Sequence, residues 1–304
     1  MYGPVPSRRL GRSLGVDLVP FKTCSFNCVY CQLGPTASTT VERRAYVPAD
    51  ELVADVRDAL AAGAAPDYVT LGGSGEPTLH DGLGDVARRV KRLSDVPVAL
   101  LTNGALFFRP DVRRDAARAD VVLPSLDAPN AELFARINRP HESLSFERYV
   151  DGLAQFRGEY TGQIWLEVFV LEGINDGDEH MAEFRRHLAR IRPDKVHLNT
   201  AVRPTAESGL RAVSPEALAR LCEALGPRAS VVAEFAGPGA EAGSSVRRAD
   251  VLGMLRRRPC TLADIAAGLS VHRNEVVKYI DQLLRGGEAV AERRGSDTYY
   301  RGRD

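Results

Sequence analysis

The chain has no surplus of charge: 40 lysines and arginines balance 40 aspartates and glutamates over 304 residues. A neutral total exerts no global pull on nucleic acid or on an anionic membrane. The sequence also lacks any apolar run of about 18 residues, the length a membrane-crossing helix needs. Its opening residues, MYGPVPSRRLGRSLG, lack the apolar stretch of a secretory signal. A cytoplasmic protein with no membrane partner is expected. Aromatic residues are few, 7% with a single tryptophan, which leaves no evident stacking platform for single-stranded nucleic acid. Cysteine is scarce and unevenly placed: Cys24, Cys28 and Cys31 lie within eight residues, and Cys222 and Cys260 stand alone. An odd, clustered set argues against a disulfide framework and for a metal site.

A hydrophobic content of 44% supports a packed core. Apolar runs, expected as strands over 14–19, 68–71, 96–101, 121–126, 164–171, 195–198 and 230–235, alternate with amphipathic segments. The helices are expected over 48–62, 82–93, 145–156, 178–191 and from Pro215, with a short one after Pro110; Ser145, Asp178 and Ser214 read as caps. Strand then helix, repeated about six times, implies an α/β fold: a partial (β/α) barrel of parallel strands, with functional residues at the strands' C-terminal ends. No Gly-x-Gly-x-x-Gly opens the first unit, which argues against a dinucleotide-binding fold.

The stretch 237–245, GPGAEAGSS, reads as a linker. It divides the chain into a core over 1–236, a linker over 237–246 and a C-terminal unit over 247–304. That unit carries twelve basic residues against eight acidic ones. Three helices are expected in it, the second behind a capping box at Thr261 and Asp264, followed by two short strands around Gly295. This order resembles a winged helix-turn-helix. Its candidate recognition helix, 272–284, presents Arg273, Asn274 and Lys278, with Arg293 and Arg294 near the wing, so nucleic acid or a partner protein is its expected ligand.

Cys24-Ser-Phe-Asn-Cys28-Val-Tyr-Cys31 follows the first expected strand. Three thiolates on a four-iron cluster leave one iron open to a ligand. Structural zinc wants four closed ligands, commonly from two Cys-x-x-Cys pairs, and no second pair exists here.

Cys-x-x-x-Cys-x-aromatic-Cys, with Tyr30 at the aromatic position, resembles the signature of the radical S-adenosylmethionine superfamily. The resemblance covers about 5–235 and implies a partial or full barrel. It also implies a [4Fe–4S] cluster on Cys24, Cys28 and Cys31, and S-adenosylmethionine bound at the open iron with Tyr30 near the adenine. Reductive cleavage to a 5′-deoxyadenosyl radical then abstracts hydrogen from a substrate, with a flavodoxin- or ferredoxin-type protein as electron donor.

Gly72-Gly73-Ser74-Gly75-Glu76-Pro77-Thr78 follows the second expected strand and resembles the family's Gly-Gly-Glu motif, which implies that Gly73, Ser74, Gly75 and Glu76 hold the methionine amino group. The Gly-Glu-Pro-Thr form is similar to that of wyosine-forming and ribosomal-RNA-methylating members. Asn103, Ser125 and Asp127, at the ends of the next two strands, are candidates for the ribose and methionyl groups. Glu167, inside an apolar strand, needs a partner and is a candidate substrate residue, as are Asn199 and Arg203. Arg8, Arg9 and Arg12 read as a solvated basic face that could alternatively bind an anion. Asn138-Arg139-Pro140-His141 is unusual and has no account in sequence terms.

The resemblance implies an enzyme acting on RNA or a nucleotide, or alternatively on a small metabolite or peptide. Two other classes compete with it: an iron–sulfur redox-sensing DNA-binding regulator and a zinc-bound structural protein.

Overall fold

The computed structural model describes residues 1–202, 205–232, 248–269, 271, 273–295 and 297–303. Arg203, the 237–246 linker, His272, residues 233–235 of the last expected strand and the side chain of Asn274 lie outside the described residues.

Among the described residues, eight strands form one sheet in chain order. They are β1 (Tyr2–Ser7), β2 (Gly11–Val16), β3 (Tyr68–Leu71), β4 (Val98–Thr102), β5 (Val121–Pro124), β6 (Gln163–Val170), β7 (Lys195–Thr200) and β8 (Ala229–Val231). From β2 onward every neighbouring pair is parallel. The crossovers carry α1 (Ala49–Ala61), α2 (Leu83–Val90), α3 (Pro110–Ala116), the single turn α4 (Ala131–Leu133), α5 (Phe146–Glu159), α6 (Asp178–Ile191) and α7 (Pro215–Leu225). Ser145 and Ser214 cap α5 and α7 as expected, accepting from Arg148 N–H and Ala217 N–H. Asp178 does not cap α6. Gly177 holds that position, and Asp178 is the first helical residue, where a carboxylate still meets the positive end of the helix.

One strand departs from the expected parallel set. Tyr2–Ser7 contains Pro4 and Pro6, which argue against a strand. It is nonetheless strand β1, pairing only with β2 and antiparallel to it. An edge strand tolerates proline because half of its N–H groups have no ladder partner to lose.

The sheet curves. Successive residues of β4 face opposite sides: Val98 and Leu100 join the main core with the helices, whereas Ala99 and Leu101 pack inward. The inward side chains of β3 to β6, including Tyr68, Leu123 and Trp165, meet around Leu10. The Tyr68 and Trp165 rings are 6.3 Å apart, although three strand spacings, about 14 Å on a flat sheet, separate their strands. A partial barrel accounts for that approach. Leu10, from the β1–β2 turn, plugs it at the end where the parallel strands begin.

Beyond residue 247, α8 (Arg248–Arg257), α9 (Leu262–Leu269) and α10 (Arg273–Arg285) precede an antiparallel hairpin of β9 (Ala289–Arg294) and β10 (Asp297–Gly302). Thr261 and Asp264 cap reciprocally, N–H to side chain, at 3.0 and 3.1 Å. These elements have their own core, including Val251, Leu255, Ile265, Val276 and Leu283, and Val5 of β1 packs against it. The free edge of the sheet is thereby covered. Buried Cys260 belongs to that core, and Cys222 lies in α7.

Candidate active site

Cys24, Cys28 and Cys31 lie in the long loop between β2 and α1, at the C-terminal end of β2. The loop is held by backbone pairing to a distant segment. Asn27 N–H donates to the carbonyls of Asn138 and Arg139, Val29 N–H to that of Ile137, and His141 N–H to that of Ser25. Phe134–Asn138 is a π-helical turn, and Arg139 adopts a left-handed φ of 45°. The unusual Asn138-Arg139-Pro140-His141 is therefore the cradle of the cysteine loop.

Every one of the three sulfurs faces an N–H donor. Cys24 Sγ faces Phe26 N at 3.5 Å and Asn103 Nδ2 at 3.6 Å. Cys28 Sγ faces Asn138 Nδ2 at 3.5 Å, and Cys31 Sγ faces Lys22 Nζ at 3.3 Å. Burial acts in the opposite sense. It pushes the Cys24 thiol up to about 12, with the Glu76 charge adding to it, and drives Cys28 well above the ordinary thiol value, with Asp127 adding to it. Donors prepared for thiolates, in a site that resists bare thiolates, suit sulfurs that bind a cation. Among the described residues no three His, Cys, Asp or Glu side chains are packed closely enough to hold a single metal ion. A four-iron cluster asks for something different, three thiolates each on its own iron. The residues present fit that group.

The Gly-rich turn after β3 lies against the same loop. Gly75 packs so tightly that a Cβ there would overlap the Thr23 carbonyl oxygen, and Glu76 N–H donates to that oxygen at 2.9 Å. Gly73 has φ +150°, and a Cβ on it would stand 2.7 Å from Asp17 Oδ1. Ser74 donates through N–H and Oγ to Asp17 at 3.1 and 2.8 Å. Glu76 is buried. Its Oε1 accepts from Thr78 N–H, Thr78 Oγ1 and Thr102 Oγ1, and its Oε2 from Asn103 N–H at 2.7 Å. Burial raises its pKa, and these four donors work against the rise.

Asp127 is buried and points at protein, not solvent. It accepts from Tyr30 OH, from Asn138 Nδ2 at 3.0 Å and from Phe169 N–H at 3.0 Å. Tyr30 stacks on Phe169 with ring centroids 4.0 Å apart. Ser125 follows β5, and its carbonyl accepts from Tyr149 OH. Lys22, Asn138, Asp17 and Tyr149 were not expected at the site. Only the odd Asn138 tetrapeptide carried a sequence signal.

A cavity of about 340 Å³ opens beside Tyr30, Cys31 and Gly73 and runs into the barrel past Phe169, Glu167 and Asn199. Ser74, Gly75, Glu76, Asn103, Ser125 and Asp127 are not among the residues that line it. Glu167 faces inward, paired with Arg9 and accepting from Asn199 Nδ2 at 3.0 Å. Asn199 lies within β7, not in the loop beyond it. Arg9 is not part of a solvated face: the β1–β2 turn carries it into the barrel.

A family model described as Radical SAM superfamily matches residues 18–185. The chain belongs to the radical SAM superfamily. A UPF0026 protein from Helicobacter pylori strain J99 is 30% identical over 99% of this chain and 96% of its own length. A protein named GTPase Obg from Brachyspira hyodysenteriae is 35% identical over 96% of this chain, which spans only 43% of that longer protein. Among solved structures, a radical SAM methyltransferase from Sphaerobacter thermophilus shares the fold, with TM-score 0.54 and 23% identity over 72% of this chain and 65% of that one. The chain is thus an enzyme of the radical SAM type, with a [4Fe–4S] cluster and S-adenosylmethionine as its cofactors. No described helix is long and apolar enough to cross a membrane.

Proposed function

We propose that Cys24, Cys28 and Cys31 ligate the cluster and that Tyr30, Gly73, Ser74, Gly75, Glu76, Asn103, Ser125 and Asp127 form and support the S-adenosylmethionine site. The enzyme then acts on a substrate held in the barrel against Glu167 and Asn199. The observation that carries this reading is the set of N–H donors aimed at all three sulfurs. When bound and reduced by an external one-electron donor, the cluster would supply the electron for reductive cleavage of S-adenosylmethionine and so the radical chemistry for hydrogen abstraction.

The chain's own residues prepare this. Lys22, Asn103 and Asn138 hold the sulfurs as acceptors. Glu76 Oε2 takes one protein donor, which leaves acceptor capacity for a ligand ammonium. Gly73 lets the backbone approach a ligand closely. Below the site the inward cluster of Leu10, Leu123 and Trp165 keeps water from the barrel floor.

The Gly75-Glu76-Pro77-Thr78 form supports a substrate bearing a nucleotide, by likeness to wyosine-forming members. The cavity's size, at the small end of the roughly 300–1,000 Å³ typical of ligand pockets, also suits a small metabolite or a peptide side chain. The three helices and hairpin after residue 247 retain the order of a winged helix-turn-helix, with Arg273 and Lys278 exposed on α10, and this supports docking of a macromolecule there.

The test is anaerobic. The protein is reconstituted, iron and sulfide are quantified, and 5′-deoxyadenosine is assayed after dithionite reduction with S-adenosylmethionine. Wild type forms it and Cys28→Ala does not. A reconstituted protein without iron overturns the reading.

A further inference from the structure

The C-terminal unit reaches the Gly-rich turn directly, through Arg257, the last residue of α8. With Met254 of the same helix and Gly73 of the turn, Arg257 lines the cavity beside Tyr30 and Cys31. Its guanidinium pairs with Asp17, donates to Ser74 Oγ at 3.3 Å and lies 3.7 Å over the Tyr2 ring. Asp17, one residue beyond β2, passes the contact on: it accepts from Ser74 N–H and Oγ at 3.1 and 2.8 Å. Tyr2 does the same, its OH donating to the Gly72 carbonyl at 3.5 Å. A Cβ on Gly73 would stand 2.7 Å from Asp17 Oδ1 and 2.9 Å from Tyr2 OH, so the turn is packed against both intermediaries. Its other side is fixed to the cysteine loop, where Lys22 N–H donates to the Ser74 carbonyl at 2.6 Å. Packing alone would not need charges here. The Arg257 and Asp17 side chains are only 23% and 15% exposed, and taking charges out of water costs energy that apolar contacts avoid. The unit already has such a contact in Val5 of β1. What the ion pair adds is orientation, because a planar guanidinium fixes a carboxylate and a hydroxyl at once.

We propose that Arg257 is a positioning residue for S-adenosylmethionine: acting through Asp17 and Ser74, it holds the turn over Gly72 to Ser74 in its binding conformation, so that cofactor affinity depends on the seating of the C-terminal unit. The proposal rests on the radical SAM reading of the Gly-rich turn and adds to it a residue from the far end of the chain. The dependence is reciprocal, because two linked equilibria shift each other by the same factor. Cofactor binding therefore tightens the seat of α8.

The experiment uses the reconstituted full chain without oxygen and reads the S-adenosylmethionine dissociation constant by equilibrium dialysis. Arg257→Gln and Asp17→Asn are each expected to weaken binding about tenfold. The double variant binds no more weakly than the weaker single one, because both changes break one link. Arg257→Lys lies between wild type and Arg257→Gln, since the charge remains and the fork does not. Exposed Arg256→Gln, the neighbour on α8, leaves the affinity unchanged. Iron content identifies any variant that has lost the cluster. Melting temperature identifies any that fails to fold, and Arg257→Lys then carries the comparison. Amide exchange is the second readout. Ser74 N–H exchanges faster in Arg257→Gln than in wild type, already without the cofactor. S-adenosylmethionine slows exchange in α8 of wild type, and does so less in Arg257→Gln. Wild-type affinity in Arg257→Gln, fully additive losses in the double variant, or unchanged exchange at Ser74 overturns the proposal. Binding and cleavage by wild type beside an unaffected Arg257→Gln remove this inference and keep the function. A wild type with its full complement of iron that binds no S-adenosylmethionine removes the function, and this inference with it.

Discussion

Asn138 donates its side-chain N–H to Cys28 Sγ, at 3.5 Å, and to Asp127 Oδ2, at 3.0 Å, and so ties the cysteine loop to a turn 110 residues later. Asp127 in turn accepts from Tyr30 OH. One buried carboxylate and one amide therefore orient a candidate cluster ligand and the aromatic residue beside it.

Asn138→Ala is expected to reduce cluster affinity about 10–100-fold, the usual effect of losing a residue that orients a metal ligand. It also shifts the cluster potential downward, because an N–H···S bond stabilises the reduced, more negative state. Iron retention during dialysis against a chelator and a spectroscopic redox titration check this. A variant with wild-type retention and potential would assign Asn138 to loop folding alone.

Gly75→Ala is expected to destabilise the Gly-rich turn by about 1–3 kcal/mol, because its Cβ meets the Thr23 carbonyl. The same change at Gly158, in α5, meets nothing within 4 Å and is expected to raise stability by about 0.5–1 kcal/mol. Denaturant midpoints compare the two. S-adenosylmethionine binding falls only in Gly75→Ala.

The Arg257–Asp17 ion pair joins α8 to the end of β2, and both side chains are mostly buried. A double-mutant cycle with Arg257→Gln and Asp17→Asn should give a coupling of about 1.5–3 kcal/mol, the range for charged hydrogen bonds out of bulk water. Zero coupling would mean that this ion pair does not help hold the C-terminal unit on the sheet.

His197 lies on the inner face of β7, its Nδ1 without a hydrogen-bond partner among the described residues. Burial, with Arg9 and Lys195 nearby, lowers its pKa to about 4. The unfolded chain binds this proton from about pH 6.5, so between those values the unfolded state holds more protons and stability rises with pH. The contribution is complete above pH about 6.5 and is lost as pH falls toward about 4. Urea midpoints at pH 7 and 5 should fall further for wild type than for His197→Gln. Equal falls would exclude His197 as the cause.

The alternation of strands and helices was legible because parallel strands covered on both faces read as short apolar runs, and the helices between them keep their own periodicity. Tyr68–Leu71 appeared at its observed bounds. Strand β1 was not legible, because Pro4 and Pro6 disfavour a strand unless it lies at an edge, and edge position is a property of the assembled sheet. The Asn138 tetrapeptide was visible but mute, since its partners are backbone groups more than a hundred residues away.

By itself the sequence carried the family's signature: three cysteines spaced by three and then two residues, an aromatic between the last two, and a Gly-Glu-Pro-Thr turn after the next strand, all local patterns a short stretch of chain can hold. Only the tertiary structure decided where the charges went. Arg9 and Glu167, or Arg257 and Asp17, are neighbours because the sheet curves and the C-terminal unit docks on its first strand. The side-chain partners of a buried charge depend on that long-range geometry, which no local pattern encodes.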